Sequence, residues 1–154
     1  MFSELRMKIQ EQIDFWEPIL MNLPTAVLCE RRNSQNRTIK EILGHLIDSA
    51  VNNHHRIVRL QYKSNLTFPD YRQDNDRWIK IQNYQEEDWE LMVSLWALYN
   101  LHMAHIIKNT NPECLSHTWH DFENTKETLN SIIEGYLWHL NLHLKEIEEL
   151  SSQL

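Results

Sequence analysis

The sequence predicts an all-α fold, a bundle of four long helices. Three observations carry that expectation. The 154 residues include only 2 Gly and 4 Pro, too few turn punctuators for a β-sandwich of this length. Apolar residues recur at helical spacing over four long stretches. Two of those stretches open on a capping-box pattern. An apolar share of 42% against 24% charged residues is that of a globular chain and not a disordered one. The length predicts one domain, residues 1–154, with a core that needs no disulfide staples.

The first helix is expected from Ser3 to Met21, where Leu5, Ile9, Ile13 and Trp16 share a face extended by Ile19 and Leu20. Pro18 should kink its end and Pro24 should stop it. The second is expected from Thr38 to Gln61. Thr38-Ile39-Lys40-Glu41 reads as a capping box with Thr38 as N-cap, and the stripe is Ile39, Ile42, Leu43, Leu46, Ala50, Ile57 and Val58. Gly44 lies inside this helix at some loss of propensity, which a close helix–helix approach would explain.

A long connection from Lys63 to Tyr84 follows, with Asn65, Pro69, Asp70, Asp74, Asn75, Asp76 and Asn83. Phe68, Tyr71, Trp78 and Ile81 interrupt its polarity, so a packed segment with a short helix near Asp76–Gln82 is expected. The third helix is expected from Glu86 to Asn109, apolar over a wide arc through Trp89, Met92, Val93, Trp96, Tyr99, Leu101, Met103, Ile106 and Ile107, with Pro112 beyond its end. The fourth should open on Asn124-Thr125-Lys126-Glu127 as a capping box and run from about 125 to Leu150, carried by Leu129, Ile132, Ile133, Tyr136, Leu137, Leu140, Leu144 and Ile147. Glu146, Glu148 and Glu149 crowd its last turns, against the macrodipole but solvated.

A formal charge of −7 argues against a broad nucleic-acid surface, and no basic stripe or base-reading motif is present. Nothing approaches 18 continuous apolar residues, so no membrane span is expected. The charged opening MFSELRMKIQEQ does not read as a signal peptide. Cys29 and Cys114 lie far apart without a CxxC, which fits a reducing cytoplasm.

The functional signal lies among 9 His and 6 Trp. In Trp138-His139-Leu140-Asn141-Leu142-His143, His139 and His143 stand four residues apart and share a helical face, so both imidazoles can reach one divalent ion. Any His-rich helix can produce such a pair by chance. No HExxH is present, which disfavours a zincin peptidase. A third ligand must come from another helix, and His45 is the best candidate. Helical counting places Asp48, Asn52 and Arg56 on the His45 face, a polar strip that either surrounds an ion or ligand or is simply solvated. His102 and His105 form a rival i,i+3 pair that core hydrogen bonding would also explain, His54 and His55 diverge, and His117 and His120 precede the fourth helix. Trp16, Trp89, Trp96 and Trp138 are expected in the core or at a dimer face, whereas Trp78 and Trp119 could wall a pocket near the ion.

Three stretches resemble the DinB/YfiT-like metal-binding four-helix bundles: Thr38-Ile39-Lys40-Glu41-Ile42-Leu43-Gly44-His45-Leu46-Ile47-Asp48-Ser49, Tyr71-Arg72-Gln73-Asp74-Asn75-Asp76-Arg77-Trp78, and Tyr136-Leu137-Trp138-His139-Leu140-Asn141-Leu142-His143. The resemblance implies an up-up-down-down bundle, frequent homodimers, and one divalent metal held by His45, His139 and His143. Related members include transferases and isomerases that use low-molecular-weight thiols.

Three neutral histidines would leave an ion its charge and an open position for water or substrate. A metal-dependent S-transferase using a low-molecular-weight thiol cosubstrate is the leading expectation. A hydrolase using metal-activated water and a non-catalytic metal-binding or damage-response protein are the alternatives. Asp48 and Asn52 would orient a ligand or water, Arg56 would bind a carboxylate, and Asp74, Asp76 and Arg77 would cap the cleft or pair with one another. Imidazole ligands and the lack of a carboxylate ligand favour zinc or nickel over calcium or magnesium. The substrate is expected to be a small molecule, with no nucleic-acid or membrane partner.

Overall fold

The computed structural model describes residues 2–67, 73–121 and 125–152. Phe68, Pro69, Asp70, Tyr71, Arg72 and Asn124, all used above, lie outside the described residues. The first long helix, α1, spans Ser3–Met21 and carries Pro18 within it. A short α2, Thr25–Glu30, follows Pro24. The second long helix, α3, spans Ile39–Leu60, and its capping box is formed in both directions between Thr38 and Glu41. A strand β1, Asn65–Thr67, and a short helix α4, Asn75–Gln82, fill part of the long connection. Asp74 caps α4 by accepting from the Arg77 amide. A 3₁₀ turn at Tyr84–Glu86 leads to α5, Trp89–Lys108, capped by Asp88. A 3₁₀ turn at Pro112–Cys114 and strands β2, Thr118–His120, and β3, Lys126–Thr128, lead to α6, Leu129–Ser151.

Two expected boundaries shift. The third helix starts at Trp89 and not at 86, because Tyr84–Glu86 winds as a tighter turn before Asp88 supplies the cap. The fourth starts at Leu129 and not near 125. Residues 126–128 pair with β2, and Thr128 with Ser131 forms the capping box in place of the one expected at Asn124. The sheet is an addition to the expected helices. Its order is β1-β2-β3, with Leu66 beside Trp119 in the parallel pair and Trp119 beside Glu127 in the antiparallel one.

The core lies between the four long helices, with Ile9, Ile13 and Leu20 of α1, Ile39, Leu43 and Ile57 of α3, Met92, Trp96, Met103 and Ile107 of α5, and Ile133, Leu140 and Ile147 of α6. Each set recurs largely at helical spacing, which is why the stripes are visible in the sequence. α5 packs against α1 and α3, and α6 packs against α3 and α1.

Helix directions correct one expectation. The ammonium of Lys40 donates to the carbonyls of Gln85 and Glu87, His54 lies against Tyr99, and the Gln61 side chain accepts from the Asn111 amide. α3 and α5 therefore run parallel. The Trp89 indole donates to the Leu20 carbonyl, so α5 starts where α1 ends. Asn33, ahead of α3, donates to Glu146 near the end of α6, and the Leu129 amide donates to the His117 carbonyl at the far end. The four-helix bundle thus runs up-down-down-up, in place of the up-up-down-down order that the resemblance implies. The physical reason lies in the connections: the one through β1 and α4 carries the chain back along the bundle so that α5 begins beside the start of α3, whereas those after α1 and after α5 turn the chain round. Helical periodicity contains no information about that return.

Candidate metal centre

Gly44 and His45 sit in the second turn of α3, whose capping box fixes the helix start. His139 and His143 come one turn apart on α6. Because α3 and α6 are antiparallel neighbours, the early part of one faces the late part of the other. The three rings meet there: Nε2 of His45 lies 3.3 Å from Nε2 of His139, and Nε2 of His143 lies 3.2 Å from the same atom. Ring centroids are separated by 4.5 to 5.2 Å. Among the described residues this trio is the one group of three or more His, Cys, Asp or Glu side chains arranged to hold an ion.

The geometry fits a divalent cation. Bonds of about 2.0–2.1 Å at a tetrahedral angle place two ligand nitrogens about 3.3–3.4 Å apart, and the observed 3.2 and 3.3 Å are close to that. Three imidazole nitrogens aimed at one point repel one another unless a positive centre lies between them. Two of the opposite ring nitrogens are turned to other groups. Nδ1 of His143 lies 2.9 Å from the Glu146 carboxylate and Nδ1 of His139 lies 3.4 Å from the Ser49 hydroxyl. The Glu146 carboxylate accepts from Nδ1 and so fixes the His143 tautomer that leaves Nε2 free to coordinate, while the Ser49 hydroxyl orients the His139 ring. Burial lowers the pKa of His45 to about 3, with His143, His139 and Arg37 acting in the same sense, and burial with His143 lowers that of His139 to about 4. Neutral imidazole is the form a metal requires.

An open cleft of about 610 Å³ begins at His45 and His139. Ser49, Asn53 and Arg56 continue along α3, Trp119 and Glu127 come from the sheet with Asp121 just beyond β2, and Gly135 and Trp138 come from α6. The Arg56 guanidinium lies 4.1 Å from the Trp119 ring centre, a cation–π arrangement. Burial depresses Arg56 below its ordinary value, while Glu127 and Asp121 act in the other direction.

The polar strip on α3 divides. Arg56 lines the cleft, but Asp48 and Asn52 do not. Asp48 is buried and accepts through Oδ1 from the Tyr84 hydroxyl and the Gln82 amide, both at 2.7 Å. Burial raises its pKa, and those two hydrogen bonds oppose the rise. Asn52 donates to Gln73, which reaches the cleft. Ser49 and Asn53 line the cleft while Asp48 and Asn52 do not, because the cleft opens along one flank of the His45 face and the other flank packs under the connection through Gln73, Gln82 and Tyr84. Asp74 caps α4, and Asp76 pairs with Arg37 at 2.7 Å, so these groups hold the connection.

His102 and His105 are exposed on α5, stacked with ring centres 6.4 Å apart, and neither is a core residue. His54 contacts the Tyr99 hydroxyl at 2.7 Å, and His117 contacts the Leu60 carbonyl. Trp119 lines the cleft, whereas Trp138 is 66% exposed at its rim and so does not fill the core. Sequence reasoning misses three supporting residues. Glu146 lies three positions beyond its partner His143 on α6, a spacing that could have found it, and Ser49 lies four beyond His45 on α3 but meets His139 across the helix pair. Tyr84 reaches Asp48 from the long connection and leaves no local signal.

The sequence pattern of the DinB superfamily matches residues 9–147. A provisionally named metal-dependent hydrolase of Halalkalibacterium halodurans is 26% identical over 121 residues, covering 77% of this chain and 67% of that protein. Among solved structures, YfiT from Bacillus subtilis, described as a probable metal-dependent hydrolase with an unusual four-helix bundle topology, superposes with a TM-score of 0.86 at 16% identity. The match covers 98% of this chain and 86% of YfiT, a likeness that establishes the fold. Among the described residues, no helix is long and apolar enough to cross a membrane.

Proposed function

The chain belongs to the DinB superfamily, and from that premise we propose that it is a metal-dependent hydrolase acting on a small-molecule substrate, with His45, His139 and His143 as ligands of one zinc or nickel ion. The observation that carries the reading is the convergence of the three imidazoles of His45, His139 and His143, two of which, His45 and His139, line an open cleft. A structural zinc site would close with a fourth protein ligand, and among the described side chains the cluster ends at three histidines. The names of the Halalkalibacterium protein and of YfiT support hydrolysis over thiol transfer.

When bound, a divalent ion supplies Lewis acidity, acidifying water and polarising an ester or amide carbonyl. The chain's own residues do the rest. Glu146 and Ser49 hold the rings of His143 and His139 in orientation. Arg56, stacked on Trp119, offers a fixed positive charge to a substrate carboxylate or a developing oxyanion. Asn53, Gln73 and Asn75 present hydrogen-bonding groups along the cleft, and Asp121 and Glu127 are its carboxylates able to accept a proton from attacking water. Asp48 acts from behind, through Tyr84 and Gln82, on the position of α3. A thiol cosubstrate would use Arg56 in the same way, so that residue does not separate the two readings.

The test begins with elemental analysis of protein purified without chelator. One zinc or nickel per chain is expected, with loss in His45→Ala and in His139→Ala while far-UV circular dichroism stays helical. A panel of esters, amides and lactones should be turned over with metal and not with EDTA. Absence of metal after purification and after reconstitution overturns the metal reading. Turnover that requires an added thiol overturns the hydrolase reading alone.

A further inference from the structure

We infer that His54 of α3 and His102 of α5 form a second metal site, on the surface of the bundle, for a divalent ion that favours imidazole, such as zinc, nickel or copper. Four of the chain's histidines stand in one row across these two parallel helices. Ring centres are 6.2 Å apart for His55 and His54, 5.4 Å for His54 and His102, and 6.4 Å for His102 and His105. None of the four lines the cleft. Counting from His45, nine residues of about 100° and about 1.5 Å each carry His54 to the opposite side of α3, about 14 Å along its axis.

Ring geometry picks the central pair out of the row. Two imidazoles that share an ion through nitrogens at about 2.0–2.1 Å have ring centres about 5 Å apart. In the metal centre the three pairs lie 4.5 to 5.2 Å apart, with ring planes crossed at 65°, 81° and 72°. His54 and His102 repeat that relation at 5.4 Å and 72°. The outer pairs do not. His54 and His55 are stacked at 28°, and His102 and His105 at 13°, so those rings lie side by side and do not converge.

The Tyr99 hydroxyl lies 2.7 Å from Nδ1 of His54. Accepting from that nitrogen, it holds the ring in the tautomer whose Nε2 is free for an ion, the support that a metal-ligating imidazole needs. Burial, with His102 and His55 acting in the same sense, lowers the pKa of His54, and neutral imidazole is the coordinating form. His102 is exposed and His54 half-buried, so an ion can enter from solvent and water completes its coordination. With two protein ligands against three, this site is the weaker one and empties during purification that leaves the metal centre loaded. An ion bound there clamps α3 to α5, and the site does not depend on the hydrolase reading.

Equilibrium dialysis of the full, EDTA-stripped chain against excess zinc at neutral pH should give two ions per chain. His54→Ala and His102→Ala should each hold one, with far-UV circular dichroism unchanged, whereas His55→Ala and His105→Ala should still hold two. Tyr99→Phe should weaken binding of the second ion by about 10-fold. His45→Ala, with the metal centre disabled, should keep the ion that His102→Ala loses, so failure of the metal centre and failure of this site give different results. A parent chain that binds one ion while His45→Ala binds none overturns the proposal, as does a zinc content that His54→Ala and His102→Ala leave at the parent's value. Loss of the second ion in His105→Ala as complete as in His102→Ala overturns the choice of pair.

Discussion

A Cβ at position 44 would lie 2.2 Å from Cδ2 of Tyr84, so glycine there lets the phenol cross α3 and reach Asp48 beside His45. Gly44→Ala should destabilise the fold by about 1–3 kcal/mol through overpacking, read as a drop in the urea midpoint. Adding Tyr84→Ala in the same chain should lessen the effect of the glycine change, because the clash partner is gone. The close approach expected at Gly44 is real, but it is made by a tyrosine of the long connection and not by a neighbouring helix. His45 and His139 set the acid response of the metal-free protein. Unfolded, both take a proton near 6.5; folded, they do so only near 3 and 4. Their contribution to stability is therefore complete above pH 6.5 and is lost as pH falls from there towards the folded values, by about 1.4 kcal/mol per pH unit for each imidazole kept neutral. Urea titrations in EDTA at about pH 7.5 and about pH 5.5 measure that slope, and His45→Gln should reduce it. The three histidines are legible in the sequence because two share a helical face and the third stands beside a glycine. Helical counting puts Asp48 and Asn52 near the His45 face but carries no sign of which flank of that face meets the cleft, and the cleft lies on the flank of Ser49 and Asn53.

Among the elements, the long helices are legible from their stripes and from the Thr38–Glu41 cap, whereas the sheet is not. Each strand has three residues, too short for alternation to register. That is also why the sequence places the start of α6 too early: Lys126, Glu127 and Thr128 have the composition of a first helical turn, and only their pairing with β2 makes them a strand. Loss of the Thr38 hydroxyl in Thr38→Ala should lower stability by about 1 kcal/mol, because it removes the bond from the Glu41 amide and the acceptor for the Gln85 side chain. Chemical denaturation of that variant beside the parent measures the loss. Gly135 behaves differently from Gly44. A Cβ there meets nothing within 4 Å, and the residue lines the cleft. Gly135→Ala should therefore raise stability by about 1 kcal/mol from helix propensity alone, seen as a higher melting temperature. The added methyl group would stand in the cleft one turn before His139.

For the whole molecule, family and bundle are legible in the sequence, but the direction of the helices is not. Direction is decided by the path of the connection between α3 and α5, whose polar and aromatic residues carry no periodic signal. The assembled site links metal to stability. An ion that binds the folded chain and not the unfolded one stabilises by about 4 kcal/mol at a thousandfold excess over its dissociation constant. For a chain of this size each kcal/mol moves the melting temperature by about 2–4 °C. Zinc added to EDTA-stripped protein should thus raise the melting temperature by about 10 °C, and the same addition to His139→Ala should produce little change, as calorimetry would show.

His45 and His139 are 94 positions apart along the chain. An ion gripping both would act as a removable rivet around a very long loop, tethering segments that the backbone joins only by a distant route. A nick in the connection between α3 and α5 would then leave two fragments still fastened at one point, and stripping the ion would undo the fastening without breaking a covalent bond.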